Sequence, residues 1–169
     1  MTLKVAFQMD PMESIDITGD SSFALALEAQ ERGHKLFHYE PENLSLSQLK
    51  PVAKLRSLTV QNITGNHFSL GEQRIADLKT DIDVILMRQD PPFDMSYITA
   101  THILEHVHPH TLVINNPTNV RNTPEKLFVT HFENVMPPTL ITSDEEEICL
   151  LYTSDAADER SSVDLGGRR

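Results

Sequence analysis

Arg88 and Asp90 stand one residue apart, after the apolar run Val84-Ile85-Leu86-Met87 and just before Pro91-Pro92. A guanidinium grips a carboxylate through paired N–H donors. An apolar, β-branched run of this length reads as a strand covered on both faces. Open α/β sheets bind small molecules just beyond the carboxyl ends of such strands. A stiff Pro-Pro exit therefore holds an arginine and a carboxylate where ligands sit. The plainer alternative is an Arg88–Asp90 pair that only pins the turn. A second polar set, Asp10 with Ser21 and Ser22, follows the first apolar run of the chain. Hydroxyls at a helix N-terminus suit an anionic ligand. The same residue types are also ordinary helix caps, and the sequence leaves both readings open.

Other chemistry is weaker. His102-Ile103-Leu104-Glu105-His106 matches the H-x-x-E-H zinc pattern. Two histidines at i, i+4 share a helix face, but a catalytic zinc needs a third ligand and none is signalled. A solvated helix face is the better reading, and no metal site is expected. There is no G-x-G-x-x-G, no G-x-x-x-x-G-K-[ST] and no G-x-S-x-G, so a common dinucleotide site, a P-loop and a hydrolase elbow are unsupported. No catalytic residue is assigned.

These residues need elements to position them. Residues 3–8 read as a strand ended by Asp10-Pro11, and 12–19 as a polar loop. Asp20-Ser21-Ser22 caps a helix over 23–32, with Phe23, Ala26, Leu27 and Gln30 on one face. Gly33 stops it, and 35–39 is the next strand. This strand–helix–strand unit is expected to be right-handed. Residues 40–80 are broken by Pro41, Pro51, Gly65 and Gly71, and read as an antiparallel excursion of short strands. A strand over 83–87 follows, then a helix over 94–106 capped by Asp94, burying Tyr97, Ala100, Ile103, Leu104 and Val107. Residues 111–115 form another parallel strand. Pro124 starts a short helix over 125–132, and 139–141 reads as a strand. The fold class is α/β, a mostly parallel sheet flanked by helices.

The chain has 169 residues, 39% of them apolar, enough for one real core. With 25 acidic and 14 basic residues the formal charge is −11. That balance argues against nonspecific nucleic-acid or anionic-membrane partners, which need basic patches. No run approaches the ~18 apolar residues of a membrane span, and no signal-peptide pattern opens the chain. The lone cysteine, Cys149, excludes an intrachain disulfide. A cytoplasmic protein is expected.

Four segments in order carry a family resemblance. They are Gln8-Met9-Asp10-Pro11, residues 20–33, residues 84–94 with Met87-Arg88, Asp90-Pro91-Pro92-Phe93-Asp94, and residues 113–128. Together they resemble the bacterial glutathione synthetases. The resemblance implies a Rossmann-like domain of the kind that precedes an ATP-grasp fold. It implies ligation of glycine to γ-glutamylcysteine, with ATP activating the cysteinyl carboxylate as an acyl phosphate and Mg2+ offsetting phosphate charge. By the same resemblance Asp10, Ser21, Ser22, Arg88 and Asp90 contact substrate. Arg88 would meet a carboxylate of γ-glutamylcysteine, and Asp90 would orient Arg88 or meet the ammonium. Lys126, after Asn116-Pro117 and Arg121-Asn122, would reach ATP; some family members carry Asn where this chain has Pro124. A homo-oligomer is implied for the full-length protein. The alternative is a binding or oligomerisation module without catalysis.

Residues 149–169 break with the rest, and both periodicities stop there. Back-translation of 149–159 and 162–169 resembles a translated sequencing-library adaptor. The expectation is a truncated gene: a substrate domain over 1–121, the start of an ATP-grasp domain over 122–148, and a disordered, non-native tail over 149–169. The family's metal ligands would lie beyond this fragment, which is then expected to be inactive.

Overall fold

The computed structural model describes residues 1–137 and 139–155. It divides into two compact units, Met1–Thr123 and Pro124–Arg169.

Among the described residues, seven strands of the first unit form one sheet. β1 (Lys4–Gln8) lies between β2 (Lys35–Tyr39) and β6 (Val84–Met87), parallel to both, and β7 (Leu112–Ile114) continues the parallel side beyond β6. Helix α1 (Ser21–Glu31) connects β1 to β2, and α2 (Met95–Glu105) connects β6 to β7. The period of two along a strand sends alternate residues to opposite helices. Val5, Phe7 and Leu36 pack with Phe23 and Ala26 of α1. Ala6, Tyr39, Ile85 and Met87 pack with Ala100 and Leu104 of α2 and with Val107 just after it. The helices therefore cover opposite faces. Asp20 and Asp94 cap them, accepting from Phe23 N at 2.6 Å and Tyr97 N at 3.0 Å. Gln30 stands on the core side of α1 because its amide closes the end of a strand, donating to Val60 O at 2.7 Å and accepting from Val60 N at 2.8 Å.

The other side of the sheet is antiparallel, as expected, but its strands are longer than the prolines and glycines suggest. β3 (Leu44–Ser47), β4 (Lys50–Val60) and β5 (Phe68–Asp77) form it. β3 and β2 share one edge of β4 end to end, and β5 runs along the other. Pro51 does not break β4. In a two-residue hairpin Ser47 and Lys50 close the hydrogen-bonded pair, so β3 asks nothing of the next residue's N–H. Pro51 O accepts from Leu78 N at 2.9 Å. Gly71 does not break β5 either. The ladder shifts register between Arg56 and Leu58, and a Cβ on Gly71 would stand 2.3 Å from Ser57 Oγ. Glycine there lets a bulged strand pass its neighbour.

A short helix after β7 was not expected: α3 (Pro117–Asn122), capped by Asn116, which accepts from Asn119 N at 3.1 Å. Asn followed by Pro at the first helical position is a start signal that the sequence carries.

In the second unit α4 (Glu125–Phe128) is a single turn followed by a 3₁₀ turn at Val129–His131, in place of one helix over 125–132. Residues 139–141 form no strand; an extended segment needs a neighbouring ladder for its backbone groups. Helix α5 (Glu145–Asp155) runs into the stretch expected to lack regular structure. Asp144 starts it, accepting from Glu146 N at 2.9 Å, and three glutamates in the first turn suit the positive end of the helix dipole. The rest of the expected tail, 156–169, lies outside the described residues.

Candidate functional site

The chain leaves β1 towards α1 on one face of the sheet and leaves β6 towards α2 on the other. The strand order therefore reverses between β1 and β6. The crevice beyond the carboxyl ends of two such strands is the usual ligand position in an open α/β sheet. Asp10 follows β1, and Arg88 and Asp90 follow β6. Arg88 N still donates to Gln8 O at 2.8 Å, so the backbone carries Arg88 to the rim as an extension of the ladder. Alternation then turns its side chain to the α1 face, alongside Leu86, while Gln89 turns to the α2 face and accepts from the buried Gln8 amide.

On the α1 face Arg88 meets the helix start. Its Nε donates to Ser22 Oγ at 2.9 Å and its Nη2 to Ser21 Oγ at 2.7 Å. Asp20 already serves as the cap, which leaves both serines for Arg88. Ser22 is buried and Arg88 half-buried, so the serines hold the arginine in place. Of the five guanidinium N–H groups, these bonds use two and leave three aimed elsewhere. Arg88 makes no ion pair with Asp90. The Pro-Pro turn is pinned by Asp10 instead, whose Oδ2 accepts from Asp90 N at 2.7 Å.

Arg88, Asp10 and Asp90 line a cleft of about 340 Å³, with Asp16 and Asp20 on its α1 side, near the lower end of small-molecule sites. Four carboxylates, those of Asp10, Asp16, Asp20 and Asp90, face one guanidinium. Asp16 Oδ1 accepts from Thr18 N at 3.0 Å and Thr18 Oγ1 at 2.7 Å, and the hydroxyl bond, then the backbone bond, lower its pKa. The balance suits a ligand with an ammonium as well as a carboxylate. A larger cleft of about 640 Å³ opens on the α2 side, sharing Asp10. It carries Glu40 and Glu42 and no cation, so a carboxylate has nothing to pair with there, and the smaller cleft is the better site for an amino acid. Tyr97, half-buried on α2, borders the same charges. Burial raises its pKa, Arg88 opposes that, and Asp90 and Asp10 add to it. Its ring packs on Phe93 at 5.0 Å. Sequence reasoning placed Tyr97 in the core only; its proximity to a strand-end arginine was the available signal.

Asp10, Ser21, Ser22, Arg88 and Asp90 thus come together in the first unit. Lys126 belongs to the second unit, where it is exposed in α4. His102 and Glu105 of the H-x-x-E-H stretch are engaged otherwise. Glu105 Oε1 accepts from Arg121 Nη2 at 2.7 Å and from Thr118 Oγ1 at 2.6 Å, tying α2 to α3. Arg121 Nη1 lies 3.3 Å from His102 Nδ1; a guanidinium only donates, so that nitrogen is its acceptor. Among the described residues no group of three or more His, Cys, Asp or Glu is arranged to hold a metal ion. Among them, too, no helix is long and apolar enough to cross a membrane.

Residues 3–121 match the family described as prokaryotic glutathione synthetase, N-terminal domain. The chain is 57% identical over 148 residues to a glutathione synthetase of Brucella melitensis biotype 1, covering 88% of this chain and 47% of that protein. It matches one from Mesorhizobium japonicum to the same identity and coverage. A glutathione synthetase of Vibrio parahaemolyticus is 37% identical over 147 residues, covering 86% of this chain and 46% of that protein. The chain spans about half the length of the curated relatives it matches. With that coverage, and with the strand-end arginine and aspartates inside the matched segment, the chain belongs to the prokaryotic glutathione synthetase family, whose N-terminal domain it carries.

Proposed function

We propose that this chain is the γ-glutamylcysteine-recognising part of a glutathione synthetase, an ATP-dependent ligase that joins glycine to γ-glutamylcysteine. The observation that supports it most is Arg88, anchored by Ser22 and Ser21 at the switch-point cleft with three N–H donors uncommitted. In this reading those donors take the α-carboxylate of the γ-glutamyl group. Asp90 and Asp10 stand on the side of its ammonium. Among the described residues no group of three or more His, Cys, Asp or Glu is placed to hold magnesium, and Lys126 alone does not make a nucleotide site. The relatives' other half has no counterpart in this chain. We assign ATP, Mg2+ and glycine to that half, with Lys126 as a contribution from this one. The 169-residue chain then binds but does not ligate. A cytoplasmic location and homo-oligomeric assembly of the whole protein belong to the same proposal.

The test is calorimetric titration of the chain with γ-glutamylcysteine. Saturable binding is expected, weakened about tenfold or more by Arg88→Lys, because an ammonium cannot serve both serines and a planar carboxylate. No binding by the wild-type chain would refute the reading. Incubation with ATP, Mg2+, glycine and γ-glutamylcysteine should yield no glutathione; product would overturn the division of labour.

A further inference from the structure

Residues 10–14 carry Asp10 into the cleft without belonging to any ladder, so their carbonyls must find partners elsewhere. Three successive carbonyls do. Asp10 O lies 3.2 Å from His38 Nε2. Pro11 O accepts from Ser14 N at 3.0 Å and Ser14 Oγ at 2.7 Å. Met12 O lies 2.7 Å from His67 Nε2. The two histidines come from separate elements, His38 from β2 and His67 from the turn leading into β5. Both are buried, 4% and 9% exposed. The His67 ring packs against Phe23 at 5.8 Å and Phe68 at 4.9 Å, which fixes its direction. A carbonyl oxygen only accepts, so each Nε2 carries the hydrogen.

We infer that His38 and His67 are positioning residues of the cleft: they hold the carbonyls on either side of Pro11 and so fix where the Asp10 carboxylate stands. The consequence reaches the far wall, because Asp10 Oδ2 receives the Asp90 N–H. A loop released from either imidazole loses its register with the Pro-Pro turn, and the cleft loses its shape. Burial lowers the His38 pKa, against the bonds to Asp10 and Met9 and the nearby Glu40 and Glu13, which raise it. The ring is thus held as the neutral donor near neutral pH. The role of these histidines in ligand binding rests on the substrate reading above; their hold on the loop does not.

The experiment follows the Asp90 amide by NMR in the 169-residue chain, through its proton shift and exchange rate, with γ-glutamylcysteine titrations in parallel. His38→Phe and His67→Phe keep a ring and remove the donor. His38→Gln and His67→Gln keep an N–H at a similar reach. The Phe variants should speed Asp90 exchange at least tenfold and weaken γ-glutamylcysteine several-fold, while the Phe7 and Ile85 amides stay protected. The Gln variants should restore both. If one Phe variant fails to fold, the other and the two Gln variants decide. An unchanged Asp90 amide in a folded Phe variant overturns the inference, as do Gln variants no better than Phe. A wild-type chain that binds no γ-glutamylcysteine, alongside Phe variants whose Asp90 amide responds as described, sinks the substrate reading and supports the clamp.

Discussion

Replacing Glu105 with Gln removes the charge that ties α2 to α3 and tests whether H-x-x-E-H is a structural pairing. The Glu105 carboxyl is held down at about 2, from an ordinary 4.5, first by the Arg121 hydrogen bond and then by Thr118. At about 1.4 kcal/mol per tenfold change in proton affinity, that gap corresponds to about 3.4 kcal/mol at most. The Glu105 side chain is 33% exposed, and solvent screening reduces the figure to about 1–2 kcal/mol. A carboxyl whose pKa is lower in the fold contributes stability that is fully present above its unfolded value and lost as pH falls through its folded value. The wild-type advantage over Glu105→Gln should therefore be constant between neutral pH and about 5, then shrink below 4.5 towards 2. Urea denaturation of both proteins across that range measures it. A gap that widens as pH falls from 7 to 5 would point to a histidine charged against the carboxylate and refute the assignment. No gap at pH 7 would show that Arg121 gains nothing from the carboxylate.

Two further outcomes concern packing. Gly71→Ala should be neutral or slightly destabilising in the wild type, because the new Cβ meets Ser57 Oγ at 2.3 Å. In a Ser57→Ala background, where the remaining contact is an ordinary 3.6 Å, it should stabilise by about 0.5–1 kcal/mol as glycine's excess unfolded freedom is removed; equal effects in both backgrounds would refute the contact. Thr111→Val should cost about 1–2 kcal/mol, because the buried hydroxyl lies 2.7 Å from Leu78 O and 2.8 Å from Ile82 O. Thermal unfolding of an unchanged variant would show that those carbonyls are satisfied without it.

The parallel layer and its two covering helices were legible because their signals are local. β2 matches its expected bounds, and the starts and stops of α1 and α2 fall within two residues of those read from Asp20, Gly33 and Asp94. The β3–β4 hairpin was not legible. Its turn places Gln48 at φ 49° and Leu49 at φ 63°, a left-handed pair that residue preferences assign to Asn and Gly. The strands' pairing, not the turn chemistry, imposes it. Pro51 and Gly71 read as breakers for the same reason: whether an N–H or a Cβ is tolerated depends on the strand opposite.

The sequence by itself determined the α/β class, the strand-end position of Arg88 and Asp90, and the family, because periodicity, caps and motif order are properties of neighbours along the chain. Only the tertiary structure decided what those groups do to one another. Arg88 turned to serines 66 and 67 residues earlier, Asp10 took the Asp90 N–H, and two buried histidines fastened the loop between them. Each of those bonds joins segments that meet only once the sheet has set their register, and one-dimensional spacing holds no record of which polar groups will then lie within reach.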